Sequence, residues 1–253
     1  QAGTSHHLGQ NFARAFDVKF QDKDMQLKYV YATSWGVSTR LIGGMIMTHS
    51  DDDGLVIPPR LAPLPVVFVP IYRKDEERAL VLERIARITE NWDPLFFKVD
   101  DRDQYRPGYK FAEWEVKGVP LRIEIGPRDV AQDSVVVVRR DTKEKTIRSC
   151  DGLLASLRET LETMQRDLFN AARERMTART FTVDHYDEYR ERVDAGGFFR
   201  VFLDVDNPEV EAKLQEDTRS TVRCIPFDQP DEEGPCMITG KPCRGRVIAA
   251  QSY

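Results

Sequence analysis

The sequence has few cysteines and lacks any long apolar run. Four cysteines among 253 residues are too few for a disulfide scaffold, and no apolar signal-peptide core precedes them. Charged residues make up 31% of the chain and interrupt every apolar run well before the ~20 residues that a membrane-spanning helix needs. These features predict a soluble, cytoplasmic protein with reduced thiols and no membrane segment.

An excess of positive charge is also missing. The 37 lysines and arginines are outnumbered by 42 aspartates and glutamates, which gives a formal net charge of −5. A chain of this charge is not expected to hold nucleic acid by bulk electrostatics, and DNA is not an expected partner. Any contact with RNA therefore has to come from a local surface whose shape and side chains fit the RNA.

Two common enzyme signatures are absent. Residues Thr239–Pro242 read Thr-Gly-Lys-Pro, with proline where a P-loop carries its magnesium-binding hydroxyl. The four histidines, His6, His7, His49 and His185, lack the spacing of a helical zinc pair. The sequence therefore favours neither a P-loop nucleotidase nor a histidine-based metalloenzyme.

Proline and glycine divide the chain into three predicted domains, 1–62, 63–165 and 166–253. The first ends near the diproline Pro58-Pro59, which cannot continue a helix or donate to a sheet. In the second, β-branched runs alternate with segments of helical period, which predicts a mixed or parallel sheet flanked by helices. A long helix after Asp151 leads into the third, where short helices and strands alternate. The expected fold class is mixed α/β and α+β.

A strand-to-helix junction is predicted near Arg40. Trp35–Val37 is strand-like, and the apolar segment 41–47 contains paired glycines that predict a helix packed closely against a sheet. Arg40 would lie at the junction beside the hydroxyl of Ser38. A guanidinium in that position is suited to binding a phosphate, although composition alone favours an ordinary solvated or ion-paired arginine.

The opening segment, 1–12, combines glycine, hydroxyl, amide and imidazole side chains. We interpret it as a polar loop, since such a composition suits close approach to a polar ligand. A frayed polar terminus explains the same residues equally well, and composition alone leaves both interpretations open.

Four separate strings follow one another along the chain: Gln1–Phe16, Trp35–Gly43, His49–Pro59 and Pro107–Phe111. In these strings and their order, the chain closely resembles prolyl-tRNA synthetases of the archaeal and eukaryotic-like type. The second and third strings look like motif 3 of class II synthetases, and the resemblance continues to the end of the chain. It implies part of a class II antiparallel sheet in the first predicted domain, an anticodon-binding domain in the second, and a zinc-domain-like module in the third.

This resemblance implies a proline–tRNA ligase that acts as a homodimer. Such an enzyme uses ATP and Mg²⁺ to convert proline into prolyl-adenylate, and then transfers the prolyl group to tRNA(Pro). Class II motifs 1 and 2 would precede Gln1, so the 253-residue chain alone is expected to be inactive. The alternative is a non-catalytic, synthetase-like RNA-binding or regulatory protein that retains the anticodon-binding domain. The enzyme is favoured because a binding protein has no reason to keep an ATP and proline pocket.

Carried over by position, the resemblance also implies site residues in the first predicted domain. Arg40 would be the catalytic residue, placed at the terminal phosphate of ATP, and Gln1 would lie near Mg²⁺. The implied ATP-binding residues are Gln1, Thr4, Ser38 and Arg40. The implied proline-binding residues are His6, Trp35 and Gly36.

In the second predicted domain, Phe111 and Trp114 lie three residues apart and are expected to pack against the sheet in preference to stacking on a base. Unstacked anticodon bases are read through their hydrogen-bonding edges, which favours charged side chains. The candidates for this role are Arg102, Lys110, Glu115 and Lys117.

The third predicted domain resembles a four-cysteine zinc module whose ligand set has decayed. Cys224, Cys236 and Cys243 remain, but none forms a Cys-x-x-Cys pair. Three unpaired thiols make a poor tetrahedral site, so no zinc is expected. The resemblance further implies that the carboxylate of the final residue, Tyr253, is ordered.

Overall fold

The protein is described by a computed structural model covering residues 3–251, which form two compact units that divide after Leu168. The expected mixed α/β architecture is confirmed. Gln1 and Tyr253, to which the sequence assigns roles, lie outside the described residues. No helix within 3–251 is both long and apolar enough to cross a membrane.

The first unit begins with two small antiparallel sheets and two helices. Strands β1 and β4 pair with each other, and β2 pairs with β3. These elements are β1 (Gly3–Gly9), α1 (Asn11–Ala15), β2 (Lys19–Gln21), β3 (Leu27–Tyr29), β4 (Ala32–Val37) and α2 (Arg40–His49). The sequence-based loop is therefore wrong over Gly3–Gly9, because a partner strand distant in sequence supplies the ladder hydrogen bonds that composition does not reveal.

Helix α2 is present as expected, but it packs differently. A Cβ atom added at Gly43 or Gly44 would meet nothing within 4 Å, and no α2 residue is buried. Leu41, Ile42 and Met47 are exposed. Within 3–251, the expected close approach of these glycines to a sheet is therefore not found.

The centre of the first unit is a five-stranded mixed sheet in the order β6-β5-β7-β8-β9. Strand β5 runs parallel to β6 and β7, while β8 is antiparallel to both β7 and β9. The carboxyl ends of the three parallel strands therefore meet at one edge. The strands are β5 (Val66–Pro70), β6 (Phe97–Val99), β7 (Leu121–Ile125), β8 (Ser134–Arg139) and β9 (Lys145–Ser149).

Helices cover both faces of this sheet, which explains why β5 is buried at every position. On one face, Phe68 packs in a core cluster with Ile85 and Leu157. On the other, Val67 packs with Trp114. The helices are α3 (Asp75–Thr89), α4 (Pro107–Val116), α5 (Pro127–Ala131) and α6 (Leu153–Ala178), the last of which extends into the second unit.

The second unit is a four-stranded sheet in the order β10-β11-β15-β12, with two helices and a separate hairpin. Its core includes Tyr189, Phe199, Leu214 and Ala249. The strands are β10 (Thr180–Thr182), β11 (Phe198–Val201), β12 (Ser220–Cys224), β13 (Glu233–Pro235), β14 (Pro242–Arg244) and β15 (Val247–Gln251), and the helices are α7 (Tyr186–Val193) and α8 (Pro208–Thr218).

Candidate functional site

Arg40 is the first residue of α2, just beyond the end of β4. Its backbone N–H donates to Ser38 Oγ at 3.3 Å, so the hydroxyl helps to organise the start of the helix. The side chain is exposed and forms no ion pair with any residue in 3–251. In this structure Arg40 is therefore a solvated cation that is available to an anion.

The register of the β1–β4 pair decides which predicted side chains share a face. Thr4 lies opposite Gly36, and His6 lies opposite Ser34. Directly opposed residues project to the same face and successive residues alternate, so Thr4, His6 and Gly36 are brought together. Trp35 lies on the other face and is 81% exposed, so this arrangement does not join it to His6.

No group of three or more His, Cys, Asp or Glu side chains within 3–251 could hold a metal ion. Gln1, expected near Mg²⁺, lies outside this range, so the described residues supply no Mg²⁺ ligand set.

The thiols of the zinc-like module remain a separate feature of the second unit. Cys236 is buried and Cys243 packs against the same core, whereas Cys224 is exposed. Burial alone would raise the pKa of Cys236, but hydrogen bonds from the Thr239 hydroxyl and from backbone groups of Thr239, Asp204 and Ile238 lower it instead. The absence of zinc stays a prediction.

Arg102 is locked into a network of ion pairs rather than left free. Its Nε and Nη2 donate to the two carboxylate oxygens of Asp100 at 2.8 and 2.7 Å, and Nη2 also donates to Glu113 at 2.6 Å. Trp114 Nε1 donates to Asp100 at 2.8 Å. Burial alone would raise the pKa of Asp100, but the bonds from Arg102 and Trp114 and the charge of Lys110 lower it to about 2.

Lys110 is only 1% exposed, and its Nζ donates to the backbone carbonyl of Asp100 at 2.9 Å. Burial lowers the pKa of this lysine. The structure therefore does not place Lys110 where it can touch a base; it holds the loop that follows β6. Lys117 is half-exposed, donates to Glu113 at 2.6 Å and lies 4.6 Å from the centre of the Trp114 ring.

The structure also adds residues that the sequence did not single out. Arg122 Nη1 donates to Glu115 at 2.6 Å, and its Nε and Nη2 donate to Glu124 at 3.2 and 3.0 Å. The guanidinium lies 4.3 Å from the centre of the Phe111 ring. Lys145 Nζ donates to Glu124 at 3.2 Å and has a side chain that is 55% exposed. We call Phe111, Glu115, Arg122, Glu124 and Lys145 the β7 charge cluster.

The β7 charge cluster had a signal in the sequence. Strand β7 reads Leu-Arg-Ile-Glu-Ile, so its two charged residues alternate with apolar ones and share one face. Buried charges are retained when they are paired, which indicates a partnered site on that face. The expected packing of Phe111 and Trp114 against the sheet is confirmed, since both belong to the cluster around Val67.

A further ion pair, between Arg140 and Asp51, joins the turn before residue 55 to the five-stranded sheet. Arg140 donates to the carboxylate of Asp51 at 2.8 and 2.6 Å, and its Nε donates to the carbonyl of Glu115 at 3.0 Å. The hydrogen bond from Arg140 lowers the pKa of Asp51 to about 2. The segment before the diproline and the sheet are thus tied together within the first unit.

Two protein-family descriptions match separate parts of the chain. Residues 66–160 match "Anticodon binding domain", and residues 186–253 match "Prolyl-tRNA synthetase, C-terminal". The chain therefore carries the domains of the C-terminal portion of a prolyl-tRNA synthetase. The first match covers the five-stranded sheet and most of its helices, and so includes the β7 charge cluster and the Arg102 network.

Relatives from this family match the chain from end to end. "Proline--tRNA ligase" of Chloroflexus aurantiacus is 52% identical over 257 residues, and that of Bacteroides fragilis is 49% identical over 259 residues. Each alignment covers 100% of this chain but only 53% and 52% of the relative. The chain therefore spans about half the length of the curated relatives that it matches and corresponds to the C-terminal portion of a prolyl-tRNA synthetase.

Proposed function

We propose that the protein to which this chain belongs is a proline–tRNA ligase. It joins proline to ATP to form prolyl-adenylate and then transfers the prolyl group to tRNA(Pro). The family matches over both units and the end-to-end similarity to two ligases support this proposal. A cytoplasmic homodimer is part of the same proposal.

The observation that carries the catalytic half of the proposal is the state of Arg40. It is exposed, lacks an ion pair within 3–251, and starts a helix next to the Ser38 hydroxyl. In the first step the proline carboxylate attacks the α-phosphorus of ATP, and the bond to the departing pyrophosphate breaks. Arg40 would neutralise charge on the terminal phosphate, while Ser38 and Thr4 help to position the nucleotide.

The face shared by Thr4, His6 and Gly36 would lie beside the reacting groups. His6 would line the proline pocket, and Gly36 would leave room there because nothing lies within 4 Å of where its Cβ would be. Trp35 and Gln1 remain part of the proposed proline and ATP sites on similarity alone. Mg²⁺ would supply further charge neutralisation for the triphosphate, and no described residue is assigned to it.

The anticodon-binding half of the proposal rests on the β7 charge cluster. Lys145 offers an exposed donor and the half-buried Glu115 an acceptor, Arg122 and Glu124 are paired behind them in the sheet, and Phe111 offers an aromatic ring beside both cations. Guanine carries both acceptors and donors on its edges, which such a mixed set can read. Arg102 and Lys117, which both donate to Glu113, would contribute beside this cluster, and the buried Lys110 would hold the loop that carries Arg102.

Many apolar side chains of residues 3–49 are exposed, including Phe16, Trp35 and Met47 at 73%, 81% and 74%. An apolar surface of this extent usually marks an interface. We infer that this surface is covered by the part of the protein that corresponds to the half of the relatives that this chain does not span. The 253 residues alone would then lack part of the active site and be inactive.

The test is proline-dependent exchange of pyrophosphate into ATP by the complete protein, followed by aminoacylation of a tRNA(Pro) transcript. The ligase predicts both activities, with no exchange when alanine replaces proline in the assay. A non-catalytic RNA-binding protein, the second candidate, would bind the transcript and catalyse neither reaction.

A further inference from the structure

Two exposed tyrosines form a stack at the start of helix α4. The rings of Tyr105 and Tyr109 lie 4.5 Å apart, centre to centre, with an angle of 18° between their planes. The Arg102 guanidinium lies 5.0 Å from the centre of the Tyr105 ring. Tyr109 is 54% exposed and Tyr105 is 37% exposed, so the stack ends at Tyr109 with a large part of that residue open to solvent.

The Arg102 end of this stack is rigid. Arg102 is fixed by charge-assisted hydrogen bonds of 2.6 to 2.8 Å to Asp100 and Glu113. Asp100 is 2% exposed and is itself held by Trp114. A side chain fixed in this way loses little conformational entropy when a ligand arrives, so the stack is organised before anything binds to it.

The stack also lies at a place where ligands commonly bind. Asp100 follows the carboxyl end of β6, and its N–H donates to Phe68 O of the parallel strand β5. Loops at the carboxyl ends of parallel strands are favoured binding positions in open α/β sheets. The β7 charge cluster is separate, since it is built from the face of β7 and the later part of α4.

A second pair of an aromatic ring and a cation lies at the same edge of the five-stranded sheet, where the carboxyl ends of the parallel strands meet. Tyr72, just beyond β5, has the Arg78 guanidinium 5.9 Å from its ring centre. The Nε of Arg78 is buried and has no hydrogen-bond acceptor within the described part of the chain. This edge therefore holds a donor that residues 3–251 do not satisfy.

We propose that Tyr109 is a stacking platform for an unpaired nucleobase of the bound tRNA, which extends the stack Arg102–Tyr105–Tyr109 by one ring. This proposal rests on the proposed function, because it adds a second RNA contact beside the β7 charge cluster. Every base has an aromatic face, so such a platform tolerates different bases while it fixes the position of the strand.

The charges around the stack favour a base over a backbone phosphate as the group that docks. Exposed carboxylates of Asp101 and Asp103 alternate with Arg102 and the exposed Arg106. A mixed patch of this kind attracts phosphate weakly, whereas carboxylates can accept hydrogen bonds from base amino groups. Affinity at this position should therefore come from stacking and depend little on salt.

The experiment measures binding of a tRNA(Pro) transcript to the complete protein at two salt concentrations. Tyr109→Leu removes the ring and should weaken binding about 5-fold or more, the lower end of what one base–aromatic stack contributes. Tyr109→Phe keeps the ring and should bind like the unaltered protein. Phe227→Leu is the matched control, because it removes a fully exposed aromatic ring elsewhere. The slope of affinity against salt should be the same for all four proteins.

A direct signal comes from 2-aminopurine placed at successive unpaired positions of the anticodon loop. Stacking should quench its fluorescence at one position with the unaltered protein and with Tyr109→Phe, but not with Tyr109→Leu. Equal affinity and equal quenching for Tyr109→Leu and the unaltered protein would overturn the platform while leaving the proposed function intact. If the unaltered protein neither binds nor charges tRNA(Pro), both proposals fail.

Discussion

The indole Nε1 of Trp114 and the guanidinium of Arg102 share one acceptor, the buried carboxylate of Asp100, at 2.8 and 2.7 Å. Lys110 completes the arrangement by donating to the Asp100 carbonyl at 2.9 Å. One acidic residue thus joins the loop after β6 to Lys110 in the first half of α4 and to Trp114 near its end. The position of Arg102, and through it the tyrosine stack, depends on this carboxylate.

Replacement of this carboxylate should destabilise the first unit. Asp100→Asn leaves Arg102 and the buried Lys110 without their shared anion, and breaking a buried ion pair costs about 3 kcal/mol of unfolding free energy. Urea unfolding measures the change. Asp101→Asn, an exposed neighbour, is the control and should stay within about 0.5 kcal/mol of the unaltered protein.

The free energy of unfolding should also depend on pH over a defined acidic range. The folded-state pKa of Asp100 is lowered to about 2, below its unfolded value, so the unfolded chain binds more protons between those pKa values. The stabilisation is complete above pH 4 and declines as the pH falls towards 2, by about 2 kcal/mol for this one group. Unfolding free energies measured from pH 5 to 2 should show a shallower decline in Asp100→Asn; an identical decline in both proteins would refute this assignment.

Two glycines, one within α4 and one just after it, should respond oppositely to replacement by alanine. Gly118 ends the helix with φ of +70°, and an added Cβ would lie 2.7 Å from Leu55 Cβ and from Leu55 O. Gly118→Ala should therefore cost at least about 1 kcal/mol of unfolding free energy. Gly108, within α4, has nothing within 4 Å, so Gly108→Ala should stabilise by about 0.5 kcal/mol. Thermal and urea unfolding of the two variants test the contrast.

The β7 charge cluster should affect tRNA binding without affecting adenylate formation. Lys145→Met removes an exposed cation next to Phe111 and should weaken tRNA(Pro) binding about 5-fold, while pyrophosphate exchange stays unchanged. Lys213→Met, which removes a surface cation in the second unit, is the control. Equal tRNA affinity in the two variants would remove Lys145 from the RNA contact.

The sequence predicted elements whose signal is local. The β-branched runs and helical segments expected in the second predicted domain are present, for example as β5 and α3, and the long helix expected after Asp151 is α6. Strand β9 was missed because Lys145–Ser149 is an edge strand with polar side chains at most positions, so it lacks the apolar alternation of a half-buried strand.

Other differences depend on contacts between residues distant in sequence. Strand β1 looks like a loop until β4 pairs with it. Lys110 reads as an exposed helix residue, yet it is buried because Asp100 offers it a carbonyl and a nearby negative charge. The paired glycines of α2 predicted contact with a sheet, which is a tertiary relationship that no local pattern specifies.

Arg40 is proposed to bind the terminal phosphate of ATP, and pyrophosphate exchange in the complete protein carrying Arg40→Gln tests this role most directly. Exchange should fall about 100-fold or more, as when a preorganised charge-stabilising group is removed, while tRNA(Pro) affinity is unchanged. Exchange within about threefold of the unaltered protein would rule out this role for Arg40.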